Sequence, residues 1–205
     1  MSAENGARSN TEAGRPIIVV SGLPRSGTSM AMAMLTEGGL QCLDDGVRKA
    51  DEHNPNGYFE DERVKTLESA DDAGWIGEAR GRVVKVVSPL LKNLPSGESY
   101  RVLFMLRDLD EVLASQKKMM DRRGEQHDVP DDQMKRIYRD HLTTVNTLLK
   151  SRPDTTVKYL EFRSVIDRTR EITDQINAFL DLDLNLDLDR MAAVVDKKLY
   201  RNRSA

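Results

Sequence analysis

The stretch from Ile17 to Ser29, IIVVSGLPRSGTS, decides the fold. Its first five residues are mostly β-branched and apolar, which is typical of a strand buried on both faces. Gly22 and Gly27 enclose a short loop, and a helical pattern then runs from Thr28 to Glu37. A strand, a glycine-containing loop and a helix N-terminus in this order direct backbone N–H groups at one anion. The stretch therefore predicts a phosphate-binding turn.

The rest of the chain alternates apolar runs with helical periodicity. Three more apolar runs predict strands: Val83–Val87, Arg101–Leu106 and Thr156–Leu160. Periodic segments predict helices between and after them: Leu109–Asp121, Asp131–Lys150 and Arg170–Leu180. Near-continuous apolar strands separated by helices are typical of a parallel sheet covered on both faces. We expect an α/β protein, a three-layer sandwich with a central, mostly parallel sheet and a P-loop-type phosphate-binding turn.

Length and composition limit the class of protein. The 205 residues predict a disordered leader over residues 1–14 and a single domain over residues 15–205. A net charge of −3 argues against broad nucleic-acid binding, which needs a basic face. No apolar run approaches the ~18 residues of a membrane span, and no secretory signal is recognisable. The single cysteine, Cys42, fits a reducing compartment, so we expect a cytoplasmic protein.

The loop departs from the ATP-binding pattern GxxxxGK[ST] in the position of its cation. Thr28 occupies the lysine position, and Arg25 supplies a positive charge inside the loop. A guanidinium group holds two oxygens of a tetrahedral anion at once. The loop therefore favours a phosphate or phosphosulfate over Mg-ATP. The predicted ligand-binding residues are Pro24, Arg25, Ser26, Gly27, Thr28 and Ser29.

Two motifs of the chain resemble those of the sulfotransferases that use 3′-phosphoadenosine 5′-phosphosulfate (PAPS) as donor. The PRSGT string after a strand resembles their 5′-phosphosulfate loop, which reads PKSGT or PRSGT. Arg107 ends a predicted strand and Ser115 follows eight residues later, in RDLDEVLAS. Sulfotransferases carry an Arg and a Ser at this spacing to hold the 3′-phosphate of the donor. The resemblance implies a small, bacterial-type member that binds PAPS and needs no metal.

Weaker matches extend the resemblance along the chain. Lys85-Val86-Val87-Ser88-Pro89 is similar to the KTHLP segment, with the lysine kept and Val87 at the position of the catalytic histidine. Tyr159 opens YLEF, which resembles the YEDL segment whose tyrosine lies near the adenine. Residues 54–60, NPNGYFE, resemble the NPxGYxE stretch of bacterial members. The late RKG string is absent, and Arg201 is a candidate substitute in the 3′-phosphate site.

The resemblance also defines catalytic roles. Sulfuryl transfer needs cations that stabilise the leaving phosphate, and Arg25 and Lys85 are the candidates. It needs a group that takes the acceptor's proton, and three residues stay open for this role. Asp45 stands near the position of the catalytic glutamate of tyrosyl-protein sulfotransferases, and the neighbouring negative charge of Asp44 would raise a carboxylate's pKa. The other two candidates are Glu60 and His53.

Several questions stay open at the level of sequence. A P-loop nucleotide or small-molecule kinase is one alternative function, and a non-catalytic nucleotide-binding relative is another. The acceptor would be a small molecule or a peptide, and the oligomeric state is not defined. His141 lies on the apolar stripe of its helix and is predicted to be a hydrogen-bonded core residue. Leu180–Asp189, LDLDLNLDLD, predicts an extended surface segment that buries its leucines.

Overall fold

A computed structural model describes residues 14–47, 57–69, 73–125, 129–181 and 185–196. Its strands form one sheet. They are β1 (Ile17–Gly22), β2 (Cys42–Leu43), β3 (Val83–Lys85), β4 (Tyr100–Leu106) and β5 (Thr155–Glu161). The predicted leader, up to residue 13, lies outside the described residues and stays a prediction.

Helices fill the connections between these strands. The α-helices are α1 (Thr28–Glu37), α2 (Leu109–Arg123), α3 (Asp131–Ser151), α4 (Phe162–Asp167), α5 (Thr169–Leu180) and α6 (Leu188–Ala193). Shorter 3-10 helices span Glu62–Glu68, Gly74–Ala79 and Ser88–Asn93. In the part of the chain that the structure describes, no helix is both long and apolar enough to cross a bilayer.

The sheet has the order β2-β3-β1-β4-β5, and every neighbouring pair is parallel. The predicted α/β class is confirmed, and the sheet is wholly rather than mostly parallel. In the register, Val20 of β1 lies opposite Lys85 of β3 and Leu103 of β4. The carboxyl ends of β3, β1 and β4 therefore meet at one edge. Open α/β sheets bind ligands at this edge, where the chain crosses from one side of the central strand to the other.

Side chains of β1 divide between two cores, because successive residues of a strand point to opposite faces. Ile18 and Val20 belong to the cluster that packs against α1, α4, α5 and α6. Ile17 and Val19 belong to the cluster covered by α3 and the 3-10 helices. All four are fully buried, and each such side chain contributes about 1.5–3 kcal/mol relative to exposure. The three-layer arrangement follows from this two-sided burial.

Two segments differ from the sequence-based expectation. The strand predicted over Val83–Val87 ends at Lys85, because Pro89 lies in the first turn of a 3-10 helix that starts at Ser88. The alternating Leu180–Asp189 segment is not extended throughout, since α6 begins at Leu188. The side chain of Asp187 caps this helix by accepting a hydrogen bond from the Arg190 backbone N–H at 2.9 Å. The last residues of the alternating pattern therefore form the first turn of a helix instead of an extended segment.

Candidate functional site

The loop between β1 and α1 is wound tightly against its neighbours. Gly22 has φ 150°, and a Cβ there would lie 2.7 Å from the carbonyl oxygen of Met105 in β4. Gly27 has φ 103°, and a Cβ there would lie 2.5 Å from the Phe162 ring. Arg25 also has a positive φ, 71°. Left-handed conformations at non-glycine residues cost about 1–3 kcal/mol and cluster at functional sites. The loop's shape therefore requires both glycines and holds Arg25 under strain.

The loop presents hydrogen-bond donors that suit an anion. Gly27 precedes α1, and no side chain caps the first turn of that helix. Four backbone N–H groups at a helix start lack intrahelical partners and carry the positive end of the helix dipole. Ser26 is 1% exposed, and within the described ranges its Oγ has no hydrogen-bond partner. A buried hydroxyl without a protein partner can donate to a ligand oxygen, so an oxyanion fits here.

Arg25 joins the two sulfotransferase-like motifs. Its Nε donates a hydrogen bond to Ser115 Oγ at 2.9 Å. Its carbonyl oxygen accepts a hydrogen bond from Arg107 Nη1 at 3.1 Å. Arg107 and Ser115 stand 82 and 90 residues away in the chain. Motifs that are separate in sequence thus form one contact network on the loop, with the side chain and the backbone of Arg25 held by different elements.

Arg107 is oriented by residues that the sequence analysis did not single out. Its Nε donates to Glu111 Oε2 at 2.9 Å, and the two side chains are only 10% and 4% exposed. Its guanidinium also lies 4.1 Å from the centre of the Phe162 ring, a cation–π contact. The four-residue spacing of Arg107 and Glu111 was a visible signal for the ion pair. No local pattern indicated Phe162, which comes from beyond β5.

A cleft of about 290 Å³ opens beside this ion pair, at the carboxyl ends of β4 and β5. Its lining is formed by Leu106, Arg107, Asp108, Glu111, Glu161, Phe162 and Arg163. Tyr159 is not part of this lining. Its hydroxyl donates to Asn146 Oδ1 of α3 at 2.6 Å, and its ring packs on Phe104 with centroids 5.7 Å apart. The cleft therefore offers Phe162, rather than Tyr159, as its aromatic surface.

Lys85 lies on the other side of the loop, at the end of β3. Its buried Nζ donates to the backbone oxygen of Tyr58 at 2.8 Å and to Ser29 Oγ at 3.2 Å. Glu60 Oε1 lies 3.4 Å from the same nitrogen. Ser29 is in the first turn of α1, so Lys85 brings a positive charge beside the loop. Glu60 and Tyr58, from the NPNGYFE stretch, hold that charge in place.

Asp45 has a different environment from the one the sequence predicted. Its carboxylate is exposed and accepts hydrogen bonds from the backbone N–H groups of Val47 at 2.9 Å and Glu62 at 2.7 Å. These bonds lower the pKa of Asp45, because they stabilise the charged form. For Asp45, the expected rise in pKa beside Asp44 is therefore wrong in direction. The remaining predicted residues, His53 and Arg201, lie outside the described residues and stay predictions.

No metal cluster is present in the part of the chain that the structure covers: nowhere there do three or more His, Cys, Asp or Glu side chains come together. The site instead combines a phosphate-type loop with three basic side chains, Arg25, Lys85 and Arg107. The fold and this loop define an α/β protein of the P-loop type. The chemistry of the donor set is that of an anion site.

Comparisons with known proteins leave the activity open. No protein-family model and no curated protein sequence matches the chain. Among solved structures it is similar to a sugar kinase from Janibacter sp. HTCC2649, with 16% identity and a TM-score of 0.45, over 89% of this chain and 99% of that one. It is also similar to a sulfotransferase domain from the curacin biosynthetic pathway, with 13% identity and a TM-score of 0.49, over 91% and 89%. This level of similarity does not distinguish sulfuryl from phosphoryl transfer.

Proposed function

We propose that the protein is a PAPS-dependent sulfotransferase that transfers a sulfuryl group to a hydroxyl or amine of a small-molecule or peptide acceptor. The observation that carries the proposal is the hydrogen-bonded network of Arg25, Ser115 and Arg107. A donor with phosphates at both the 5′ and 3′ positions needs two neighbouring anion sites. The network joins the residues that this proposal assigns to the two sites.

The donor would lie across the loop and the cleft beside it. The backbone N–H groups at the start of α1, the Ser26 hydroxyl and the Thr28 and Ser29 hydroxyls would hold the 5′-phosphosulfate. Arg107 and Ser115 would hold the 3′-phosphate. The Phe162 ring is buried, lies 4.1 Å from the Arg107 guanidinium and would support that guanidinium at the wall of the cleft.

Two cations would stabilise the charge that develops on the leaving phosphate. Arg25 lies in the loop itself, and Lys85 lies beside it through Ser29. Electrostatic stabilisation by one positioned donor is typically worth about 10²–10³ in rate. Glu60, with an oxygen 3.4 Å from Lys85 Nζ, fits the role of holding that lysine. Asp45 fits the role of an anchor for the neighbouring loop, since backbone N–H groups occupy both its oxygens.

The kinase alternative has weaker support from the residues. Phosphoryl transfer from Mg-ATP uses a lysine in the loop and a carboxylate that holds Mg²⁺. The loop position of that lysine is Thr28. Asp108, which follows β4, accepts hydrogen bonds from the Asp110 and Glu111 backbone N–H groups and caps α2. Both hydrogen bonds go to Oδ1, so this oxygen serves the helix cap.

Calorimetric titration with 3′-phosphoadenosine 5′-phosphate (PAP) tests the proposal, with 5′-AMP and Mg-ATP as controls. We expect PAP to bind at least tenfold more tightly than 5′-AMP, because a charge-assisted hydrogen bond to the 3′-phosphate is worth about 1.5–3 kcal/mol. Preference for Mg-ATP would move the protein to the kinase class. Equal binding of PAP and 5′-AMP would contradict the assigned 3′-phosphate site.

Two substitutions then locate the site. Arg25→Ala and Arg107→Ala should each weaken PAP binding by about 10- to 100-fold, because each removes a charged donor from the network. Arg168→Ala is the matched control, since this arginine is exposed and pairs with Glu171 on α5. Retained tight binding in both variants would contradict the site assignment.

A further inference from the structure

The ring of Phe162 contacts both the loop and Arg107. Phe162 is the first residue of α4, directly after β5, and it is 8% exposed. A Cβ added to Gly27 would lie 2.5 Å from Cδ2 of this ring, so the ring packs directly on the loop backbone. The centre of the same ring lies 4.1 Å from Cζ of Arg107. One side chain therefore joins the two parts of the proposed donor site.

Arg107 makes a second connection to the loop, through the backbone. Its Nη1 donates a hydrogen bond to the carbonyl oxygen of Arg25 at 3.1 Å, and its Nε donates to Glu111 Oε2 at 2.9 Å. A guanidinium group is planar, so a ring against its face and a carboxylate at its edge together define its orientation. A ligand that binds Arg107 therefore engages a group that already holds the loop.

These contacts reach the two loop residues whose backbone conformation is unusual. Arg25 has φ 71°, which is strained, and Gly27 has φ 103°, which only glycine adopts readily. Ser26, whose hydroxyl is buried, lies between them. Strained conformations persist only where the surrounding structure holds them. Phe162 and Arg107 therefore help to hold the loop in the shape that presents its donors to an anion.

We propose that Phe162 is a positioning residue that couples the two anion sites, so that a 3′-phosphate on Arg107 strengthens binding of the 5′ group at the loop. This inference rests on the proposed function and adds a dependence between its two sites. A bound 3′-phosphate restrains the guanidinium of Arg107, and through the ring and the Arg25 carbonyl it restrains the loop. The loop then loses less conformational freedom when the 5′ group binds. Coupling between two sites is reciprocal, so the 5′ group strengthens binding of the 3′-phosphate by the same factor.

Four ligands that share one nucleoside measure this coupling: adenosine, 5′-AMP, 3′-AMP and PAP. Here the 5′-phosphate stands for the 5′-phosphosulfate of the donor. The ratio of the Kd values of adenosine and 3′-AMP gives the gain from the 3′-phosphate alone. The ratio of the Kd values of 5′-AMP and PAP gives the same gain when the 5′-phosphate is present. The second ratio divided by the first is the coupling factor, and we expect it to be at least about fivefold in the wild-type protein.

Three variants test the role of the ring by calorimetry, with displacement by PAP for the weak ligands. Phe162→Leu keeps a buried apolar side chain and removes the aromatic face that Arg107 contacts, so we expect its coupling factor to fall below about twofold. Phe162→Tyr keeps the ring and should keep a coupling factor close to that of the wild type. Phe104 is 1% exposed and belongs to the core on the other face of the sheet, so Phe104→Leu is the matched control for loss of a buried ring.

The coupling factor separates positioning from a structural role. A variant whose fold is merely weakened loses affinity for all four ligands by a common factor, which cancels in the coupling factor. A wild-type coupling factor of one would overturn the proposal, as would a Phe162→Leu protein with the wild-type factor. An equal loss of coupling in Phe104→Leu would also overturn it, because the effect would then not depend on contact with Arg107.

The same titrations distinguish this inference from the function on which it rests. If the wild-type protein does not bind PAP, or binds it no more tightly than 5′-AMP, the proposed donor site is wrong. If PAP binds more tightly than 5′-AMP and the coupling factor is one, the donor site stands and the role of Phe162 alone is wrong. Should Phe162→Leu misfold by circular dichroism, Phe162→Met carries the test with the same readout.

Discussion

At Arg25 the backbone conformation is strained, whereas the side chain forms a hydrogen bond that joins two parts of the candidate site. Its φ of 71° is unfavourable for any residue with a Cβ. Its side chain nevertheless reaches Ser115, and its carbonyl oxygen accepts from Arg107. Glycine would remove the strain together with the guanidinium. The proposed role of this guanidinium in anion binding would account for an arginine at a strained position.

This conflict predicts an order of stability among Arg25 variants. Arg25→Gly and Arg25→Ala both lose the hydrogen bond to Ser115, but only alanine keeps the strained Cβ. We expect the free energy of unfolding of Arg25→Gly to exceed that of Arg25→Ala by about 1 kcal/mol. Both variants should fail to bind PAP tightly. Urea unfolding measures the first quantity and calorimetry the second. A glycine variant less stable than the alanine variant would show that the loop is not strained at this residue.

At the scale of single residues, motif spacing predicted the members of the site better than their partners. Arg25, Arg107 and Ser115 were named from the sequence, and they lie in one network. Their role in donor binding stays a prediction. The ring of Phe162 and the contact of His141 with Ser88 depend on how distant elements pack, which no local spacing encodes. The sequence predicted His141 to be a hydrogen-bonded core residue; the hydrogen bond is confirmed, with Ser88, but the side chain is half-buried rather than in the core.

At the scale of elements, two ion pairs in the described part of the chain join an Arg to an acid four residues later near a helix start. Arg107 and Glu111 span the start of α2 and are 10% and 4% exposed. Arg163 and Asp167 form the same pair on α4, with exposures of 72% and 59%. Removing one partner from a buried pair leaves a charge without compensation in a low dielectric, whereas water screens an exposed pair. The two pairs therefore differ in energy despite equal spacing.

We expect Glu111→Gln to lower the free energy of unfolding by about 3 kcal/mol, and Asp167→Asn to change it by less than about 0.5 kcal/mol. Both substitutions keep the size of the side chain and remove one charge, so the exposed pair is a matched control. Chemical denaturation at pH 7 in low and high salt measures the difference. Equal effects of the two substitutions would mean that the Arg107–Glu111 pair is hydrated in solution.

The length of each helix or strand determined whether the sequence could predict it. The long periodic segment predicted over Asp131–Lys150 is the helix α3, Asp131–Ser151, within one residue. Strand β2 has two residues, and α4 and α6 have six each. Segments this short contain less than two full helical turns or strand repeats, so periodicity carries little signal. Tertiary contacts define them, as with Met191 of α6, which is fully buried in the core.

At the scale of the whole molecule, the sheet topology explains why residues that are far apart in the chain lie at one edge of the sheet. In a parallel sheet every strand runs in the same direction, so the residues that follow each strand gather at one edge. The loop follows β1, Ser88 follows β3, Arg107 follows β4 and Phe162 follows β5. The order β3-β1-β4 places the loop in the middle of this edge. Proximity of these residues therefore follows from the topology, which the alternating strands and helices had predicted.

The response of the folded protein to acid is a property of the molecule as a whole. Burial lowers the pKa of His141, and the Arg152 guanidinium lowers the pKa of Asp154. Both groups therefore hold fewer protons in the folded state than in the unfolded state, and stability must fall as the pH falls. As the pH falls, protonation of the histidine lowers the free energy of unfolding first. This begins at about pH 6.5, which is the ordinary pKa of a histidine in an unfolded chain. Protonation of the aspartate lowers the free energy of unfolding below about pH 4, where an aspartate in an unfolded chain takes up its proton.

Two variants should separate these windows in urea unfolding between pH 7.5 and pH 3. His141→Gln cannot take up the proton, so we expect its free energy of unfolding to fall less steeply than that of the wild type between pH 6.5 and pH 5. Asp154→Asn should follow the wild type in that window and diverge from it only below pH 4, where the wild type loses the ion pair to Arg152. The difference between variants isolates each group, because His53 and His127 are common to all three proteins. Parallel curves for the wild type and His141→Gln over the upper window would mean that the pKa of His141 is the same in the folded and the unfolded state.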